Sequence, residues 1–139
     1  MEKDLAELNL IDLISEKHLG LRKIVSDLDD NQLNKTETHI LSILEAHNYL
    51  SISQISRRIH LSRQGTHKSV QSLLLRELIA TVNIKDNQRD RYLKITPKGL
   101  ECNQQLLEIK MELEQRIQKK LGKEKLALIK TIFQENWLD

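Results

Sequence analysis

Two helical patterns separated by only two residues constrain the fold of this chain more than any other feature. The first segment, residues 52–60, carries isoleucine at helical spacing. Leu61 and Ser62 form the connection, and Ser62 is a favourable N-cap for a second helix that we expect to extend to about Leu78. So short a turn before a helix with a polar start predicts a helix-turn-helix unit.

The pattern next changes from helical spacing to alternation. Ala80, Val82 and Ile84 alternate with polar residues, and residues 91–95 alternate again after a polar segment, which predicts a two-stranded hairpin. Apolar stripes predict further helices on both sides of this region, the first over residues 5–28. The predicted order is α-α-α-α-β-β-α-α, a mainly α fold with a small two-stranded β wing.

The domain prediction follows from chain length, because 139 residues suit one domain. We expect a single domain over residues 1–139, with a winged-helix lobe at residues 33–96. The segments 1–30 and 97–139 are predicted to form helical regions that flank it.

Composition excludes several classes of protein. Aromatic residues make up only 3%, and the single cysteine, Cys102, excludes an internal disulfide framework. No apolar run is long enough to span a membrane, and the chain has neither a Gly-rich phosphate loop nor a nucleophile elbow. We therefore expect a cytoplasmic protein that is not an enzyme, has no membrane partner and needs no cofactor.

Charge is distributed unevenly along the chain. Residues 1–50 contain 5 basic and 10 acidic residues, a net charge of −5, whereas residues 51–99 contain 10 basic and 3 acidic residues, a net charge of +7. A basic centre in an otherwise acidic or neutral chain is typical of a surface that binds a polyanion. On charge alone, a solvated basic face that binds nothing explains the pattern equally well.

The start of the predicted second helix concentrates groups that can read base edges. Arginine and lysine pair with guanine or phosphate, glutamine pairs with adenine, and a glycine lets a helix approach closely. A capping serine with free amide groups is a natural phosphate site. The candidate DNA contacts here are Ser62, Arg63, Gln64, Gly65, Thr66, His67, Lys68 and Gln71, together with Ser51 at the start of the preceding helix.

The predicted hairpin adds a second group of candidate contacts. Lys85, Arg89 and Arg91 are its candidate DNA-binding cations, since arginine on a thin ribbon suits the narrow minor groove. Asp86 and Asp90 are expected to orient the arginines through charge-assisted hydrogen bonds. A solvated, salt-bridged hairpin is the alternative interpretation.

These motifs, in this order, resemble the MarR family of winged-helix transcriptional regulators. Leu33–Leu41 resembles the start of that family's second helix, and Ser51–Ser62 resembles its third helix and turn. The segment Asp86–Gly99 resembles its wing, with an Asp/Arg tip closed by a Thr-Pro-Lys-Gly sequence. The hairpin is shorter than the family's common form, so either Arg89 or Arg91 is the arginine that enters the groove.

The resemblance implies a homodimer that binds a palindromic operator in double-stranded DNA and responds, usually as a repressor, to a small-molecule effector. Half-sites of such a palindrome lie roughly 10 bp apart. The first and last helices would form the dimer interface through Leu10, Ile14, Leu21, Phe133 and Trp137. The alternative is a dimeric winged-helix module that binds a protein and reads no DNA sequence.

Cysteine and histidine offer weaker candidates. Cys102 lies outside the first helix, where oxidant sensors of the resembled family carry their thiol, so we expect it to be a small buried hydrophobic residue. His39 and His47 are eight residues apart, too far for one ion unaided. We therefore predict no metal site.

Overall fold

The computed structural model describes residues 4–84 and 91–139. Its elements follow in the order 3-10 helix Leu5–Glu7, α1 Leu10–Leu28, α2 Lys35–Ala46, β1 Leu50–Ser51, α3 Ile52–Ile59, α4 Arg63–Leu75, β2 Ile79–Val82, β3 Tyr92–Ile95, α5 Pro97–Leu121 and α6 Lys123–Gln134. The predicted mainly helical fold with a small β wing is confirmed.

The wing sheet has one strand more than predicted. Its strand order is β1-β3-β2, and both pairs are antiparallel. Leu50 of β1 pairs with Leu93 of β3, whose other edge pairs with β2. A strand of two residues is too short to produce a period-two pattern, which explains why the sequence analysis missed it.

Two predicted helix boundaries also differ from the structure. The first helical segment divides at Asn9, whose side-chain oxygen accepts a hydrogen bond from the Asp12 amide at 2.8 Å and caps α1. The helix predicted to reach Leu78 ends at Leu75, and Glu77 then adopts a left-handed conformation with φ of 62°. Periodic apolar residues continue past both breaks and hide them.

Side-chain caps also begin α2, α3 and α5. Asn34 with Glu37, and Ser51 with Gln54, form reciprocal capping boxes at the starts of α2 and α3. The hydroxyl of Thr96 accepts from the Gly99 amide at 3.0 Å and begins α5. These caps satisfy backbone donors that no residue within the helix reaches.

The chain divides into two compact units, Met1–Leu106 and Leu107–Asp139. The first contains α1 to α4, the sheet and the start of α5, and α2, α3, α4 and β3 supply most of its core. The fully buried apolar residues there are Ile40, Leu41, Leu44, Ile55, Val70, Leu73, Leu78, Ile79 and Leu93, with Leu106 of α5. The second unit contains the end of α5 and α6, where Lys130 and Glu114 form an ion pair at 3.1 Å.

No helix in the described part of the chain is both long and apolar enough to cross a membrane.

Candidate nucleic-acid interface

The turn between α3 and α4 is fixed by backbone hydrogen bonds. His60 adopts a left-handed conformation with φ of 55°, and its amide and that of Leu61 both donate to the Ser56 carbonyl. Ser62 then begins α4 by accepting from the Gly65 amide at 3.0 Å. These interactions end α3 and begin α4 within three residues, as a helix-turn-helix unit requires.

Most side chains predicted to contact DNA lie on one exposed end of α4. Ser62, Arg63, Gln64, His67 and Lys68 are exposed, and Gln71 is half-buried with its amide nitrogen 3.4 Å from the His67 ring. The first amide groups of α4 have no carbonyl one turn earlier in the helix to bond with. Cationic side chains and free amides therefore occupy the same helix end, an arrangement suited to phosphate and base edges.

The structure corrects the prediction for two of the nine residues assigned to this end of the unit. Thr66 is fully buried, and its hydroxyl donates to the Ser62 carbonyl at 2.9 Å. Ser51 is also buried, and its hydroxyl accepts from the Gln54 amide at 3.1 Å. Both side chains serve the caps of their helices, so we omit them from the candidate contacts.

Gly65 has a local packing role that the sequence did not reveal. A β-carbon built at this position would lie 3.2 Å from side-chain atoms of Leu61 and from the Ser62 hydroxyl. These neighbours belong to the turn itself. Gly65 therefore gives the turn room to pack, which is a different reason for glycine from the close approach to DNA that we predicted.

The electrostatic setting of this surface is uniformly positive. The sequence has no acidic residue between Glu45 and Glu77, whereas it has five basic ones there: Arg57, Arg58, Arg63, Lys68 and Arg76. Arg57 and Arg58 are exposed at the end of α3, and within the described residues neither takes part in an ion pair. They were absent from the predicted contacts, although their position in the basic segment was the available signal.

The base of the wing is joined directly to α3. Arg91 is exposed, and its carbonyl accepts from the Ile52 amide at 3.3 Å, just before β3 begins. At the same edge Tyr49 and Tyr92 pack edge to face with ring centres 5.6 Å apart. The other predicted wing residues, Lys85, Asp86, Arg89 and Asp90, lie outside the described residues.

The side chains predicted to form a dimer interface lie on exposed apolar surfaces. Leu10 is 59% exposed and Leu21 40% exposed on α1, where Ile14 is half-buried. Phe133 of α6 is 60% exposed and packs against Trp137, with ring centres 5.0 Å apart. Of the nineteen residues of α1, only Val25 is buried. An exposed apolar surface of this kind is typical of a site that contacts another molecule.

The remaining candidate groups have ordinary structural surroundings. Cys102 is buried, and burial is the main factor that raises the pKa of its thiol. His47 is bonded through Nδ1 to the Ile43 carbonyl at 2.9 Å. Across residues 4–84 and 91–139, no three His, Cys, Asp or Glu side chains form a group that could hold a metal ion.

Comparison with known sequences finds a family model that is similar to the same region. The sequence model of the MarR family matches residues 31–91, which include α2, the helix-turn-helix unit and β2. The HTH-type transcriptional regulator PchR of Bacillus subtilis is 27% identical over 73 residues, which is 52% of this chain. The match spans 43% of the length of PchR.

Solved structures extend the likeness to most of the chain. Wild-type MarR from E. coli has a TM-score of 0.77 at 12% identity, covering 91% of this chain and 95% of its own. PcaV from Streptomyces coelicolor, solved with its natural ligand, has a TM-score of 0.76 at 19% identity, covering 96% and 94%. A variant of MepR from S. aureus bound to an oligodeoxyribonucleotide has a TM-score of 0.66 at 18% identity, covering 91% and 94%.

At these identities the solved structures establish the fold alone, and the family model matches only the central part of the chain. The match covers the elements that carry the exposed basic end of α4. Residues 31–91 of the chain thus match the MarR family model, and the chain as a whole has the winged-helix fold seen in MarR from E. coli.

Proposed function

We propose that the protein is a sequence-specific transcriptional regulator that binds double-stranded DNA as a homodimer. The observation that carries the proposal is the exposed end of α4, where Arg63, Gln64 and Lys68 share one helix terminus in a segment without acidic residues. α4 has 13 residues and is therefore about 20 Å long, which suits the major groove.

The proposal assigns base reading and phosphate binding to different residues. Arg63 and Gln64 have the donors and acceptors that discriminate base edges. Arg57, Arg58 and Arg91 surround the same unit as exposed cations and would contact phosphate, which gives affinity without sequence preference. The wing arginine of the minor groove would be Arg89 or, in place of its phosphate contact, Arg91.

Dimer formation is proposed through the exposed apolar surfaces of α1 and α6. A second copy of the chain would bury Leu10, Leu21 and Phe133, which are 40–60% exposed in the isolated chain. A two-fold dimer presents two copies of α4 and accordingly reads a palindrome. The ligand-bound PcaV structure supports an effector-responsive repressor, in which a small molecule shifts the relative position of the two copies.

Selection from a random DNA pool at low and at physiological salt tests this function. We expect enrichment of a palindrome whose half-sites are roughly 10 bp apart, with affinity that falls steeply as salt rises. Binding without any enriched sequence would instead indicate an architectural DNA-binding protein. A folded dimer that binds no DNA at either salt would contradict the proposal and favour a protein-interaction module.

A further inference from the structure

Glu37 connects the start of α2 to the recognition helix α4. Its side chain is buried, with 4% exposure. One carboxylate oxygen accepts from the Asn34 amide at 3.0 Å and completes the capping box of α2. The other accepts from the hydroxyl of Ser72, near the C-terminal end of α4, at 2.7 Å. One carboxylate therefore serves a cap and an interhelical contact at once.

The chain that leaves α4 is bonded to the start of α5. Thr96 donates twice to this segment, from its amide to the Leu78 carbonyl at 3.1 Å and from its hydroxyl to the Glu77 carbonyl at 2.7 Å. The ammonium group of Lys98 donates to the Arg76 carbonyl at 3.0 Å. Three successive carbonyls that follow α4 are thus satisfied by the first residues of α5 and its cap.

Neither group of contacts belongs to the exposed surface that would meet DNA. That surface lies at the N-terminal end of α4, whereas Ser72 and residues 76–78 lie at or beyond its C-terminal end. A rigid helix held near one end presents its other end in a fixed direction. Base contacts depend on that direction, whereas attraction between cations and phosphates depends on it much less.

We propose that Glu37 and Thr96 are positioning residues for α4, which set the direction in which Arg63 and Gln64 meet base edges. This inference rests on the proposed function, because it concerns how that function's recognition helix is oriented. It assigns to two residues outside the DNA-facing surface a part in sequence preference.

Ser72→Ala is the first test, and Asn34→Ala is its matched control. Ser72→Ala removes the hydroxyl that donates to Glu37, and it leaves every cation in place. Asn34→Ala removes the side-chain cap of α2 but leaves Glu37 bonded to Ser72. Each variant removes one hydrogen bond of Glu37, either at its backbone amide or at its carboxylate. Only Ser72→Ala removes a contact with α4, so comparing the two separates restraint of α4 from a general decrease in stability.

Hydrogen exchange and DNA binding are measured on both variants of the full chain. In Ser72→Ala we expect amides of α4 to exchange about tenfold faster through local opening, whereas in Asn34→Ala they exchange as in the wild type. Affinity for the selected DNA should fall about tenfold in Ser72→Ala, comparable to the removal of one good base contact. Affinity for non-specific DNA and its salt dependence should stay unchanged.

A second pair of variants tests the other contact. Thr96→Val removes the hydroxyl that donates to Glu77 and caps α5, whereas Thr96→Ser retains both interactions and should restore wild-type sequence preference. Equal exchange of α4 in Ser72→Ala and Asn34→Ala would overturn the restraint, and faster exchange with unchanged sequence preference would overturn its role in recognition. A wild-type protein that enriches no DNA sequence would contradict the proposed function, while the exchange measurement still decides whether α4 is restrained.

Discussion

Gly99 lies against the carbonyl of Leu78 so closely that no other residue fits. A β-carbon built on Gly99 would be 2.1 Å from that oxygen and 2.8 Å from a side-chain carbon of Ile95. The oxygen belongs to the backbone and accepts from the Thr96 amide, so it cannot rotate away. Glycine at this position is therefore what lets the first turn of α5 pack on the segment that follows α4.

Gly99→Ala should destabilise the fold by about 1–3 kcal/mol, the usual cost of overpacking a filled site. Thermal or denaturant unfolding measures the change. Gly20→Ala is the control, because a β-carbon at Gly20 meets nothing within 4 Å and alanine favours a helix by up to ~1 kcal/mol. Equal stability of the two variants would show that α5 moves away from Leu78 at little cost.

Arg63→Ala and Gln64→Ala should each relax sequence preference at one position of the half-site. We expect each to cost about 1–3 kcal/mol in binding of the selected DNA, and less for non-specific DNA. Fluorescence anisotropy with the selected DNA and with single-base variants measures both effects. If both variants discriminate single-base changes as the wild type does, the end of α4 does not read those bases.

The peripheral cations should act on all DNA sequences alike. Arg57→Ala with Arg58→Ala, and separately Arg89→Ala with Arg91→Ala, should weaken binding of selected and non-specific DNA together. The salt slope should fall by about 1 for each phosphate that the variant no longer neutralises. Lys119→Ala with Lys120→Ala, at the exposed end of α5, makes the same change in net charge. An equal effect of this control would indicate a response to net charge rather than to local phosphate binding.

The sequence predicted those features that depend on local patterns. Ser62 was found as the cap of α4 because a cap needs only a polar side chain at a fixed spacing. The exposed end of α4 was found for the same reason, since its residues are consecutive. Such features need no knowledge of distant parts of the chain.

Features that depend on tertiary contacts escaped the sequence analysis. Thr66 is a polar residue of the kind that contacts DNA, yet it is buried. Its burial follows from the packing of α4, which no local pattern encodes. The contact between Glu37 and Ser72 joins residues 35 positions apart. β1 exists only because β3 offers it an edge to pair with. Long-range pairing of this kind requires the three-dimensional structure.

The apolar surface of α1 should determine the oligomeric state. Leu10→Glu with Leu21→Glu places charges where a second copy would have to bury them, so we expect a monomer in sedimentation equilibrium. Leu75→Glu is the control, because Leu75 is 84% exposed on α4, outside the proposed interface, and should leave the dimer intact. A double variant that remains dimeric would remove these two positions of α1 from the interface.

Cys102 should be a slow-reacting thiol in the folded protein. The thiolate is the reactive form of cysteine. Burial shields the sulfur atom from reagents and raises the pKa of the thiol, so less thiolate forms. Ellman's reagent should therefore label the native chain slowly and the unfolded chain at once. Cys102→Ala with Gln104→Cys, which moves the thiol to an exposed position on α5, should react rapidly without unfolding.

The same raised pKa makes stability depend on pH in a defined direction. The folded state retains the thiol proton at pH values where the unfolded chain, with a thiol pKa of about 8.5, begins to lose it. The contribution of the neutral thiol to the free energy of unfolding is thus complete below about pH 8.5, and it declines as pH rises toward the raised pKa. The test compares the free energies of unfolding of the wild type and of Cys102→Ala from pH 7 to 10. We expect the wild type to lose stability relative to the variant only at the alkaline end of this range. A difference that stays constant across this range would contradict a buried, protonated thiol.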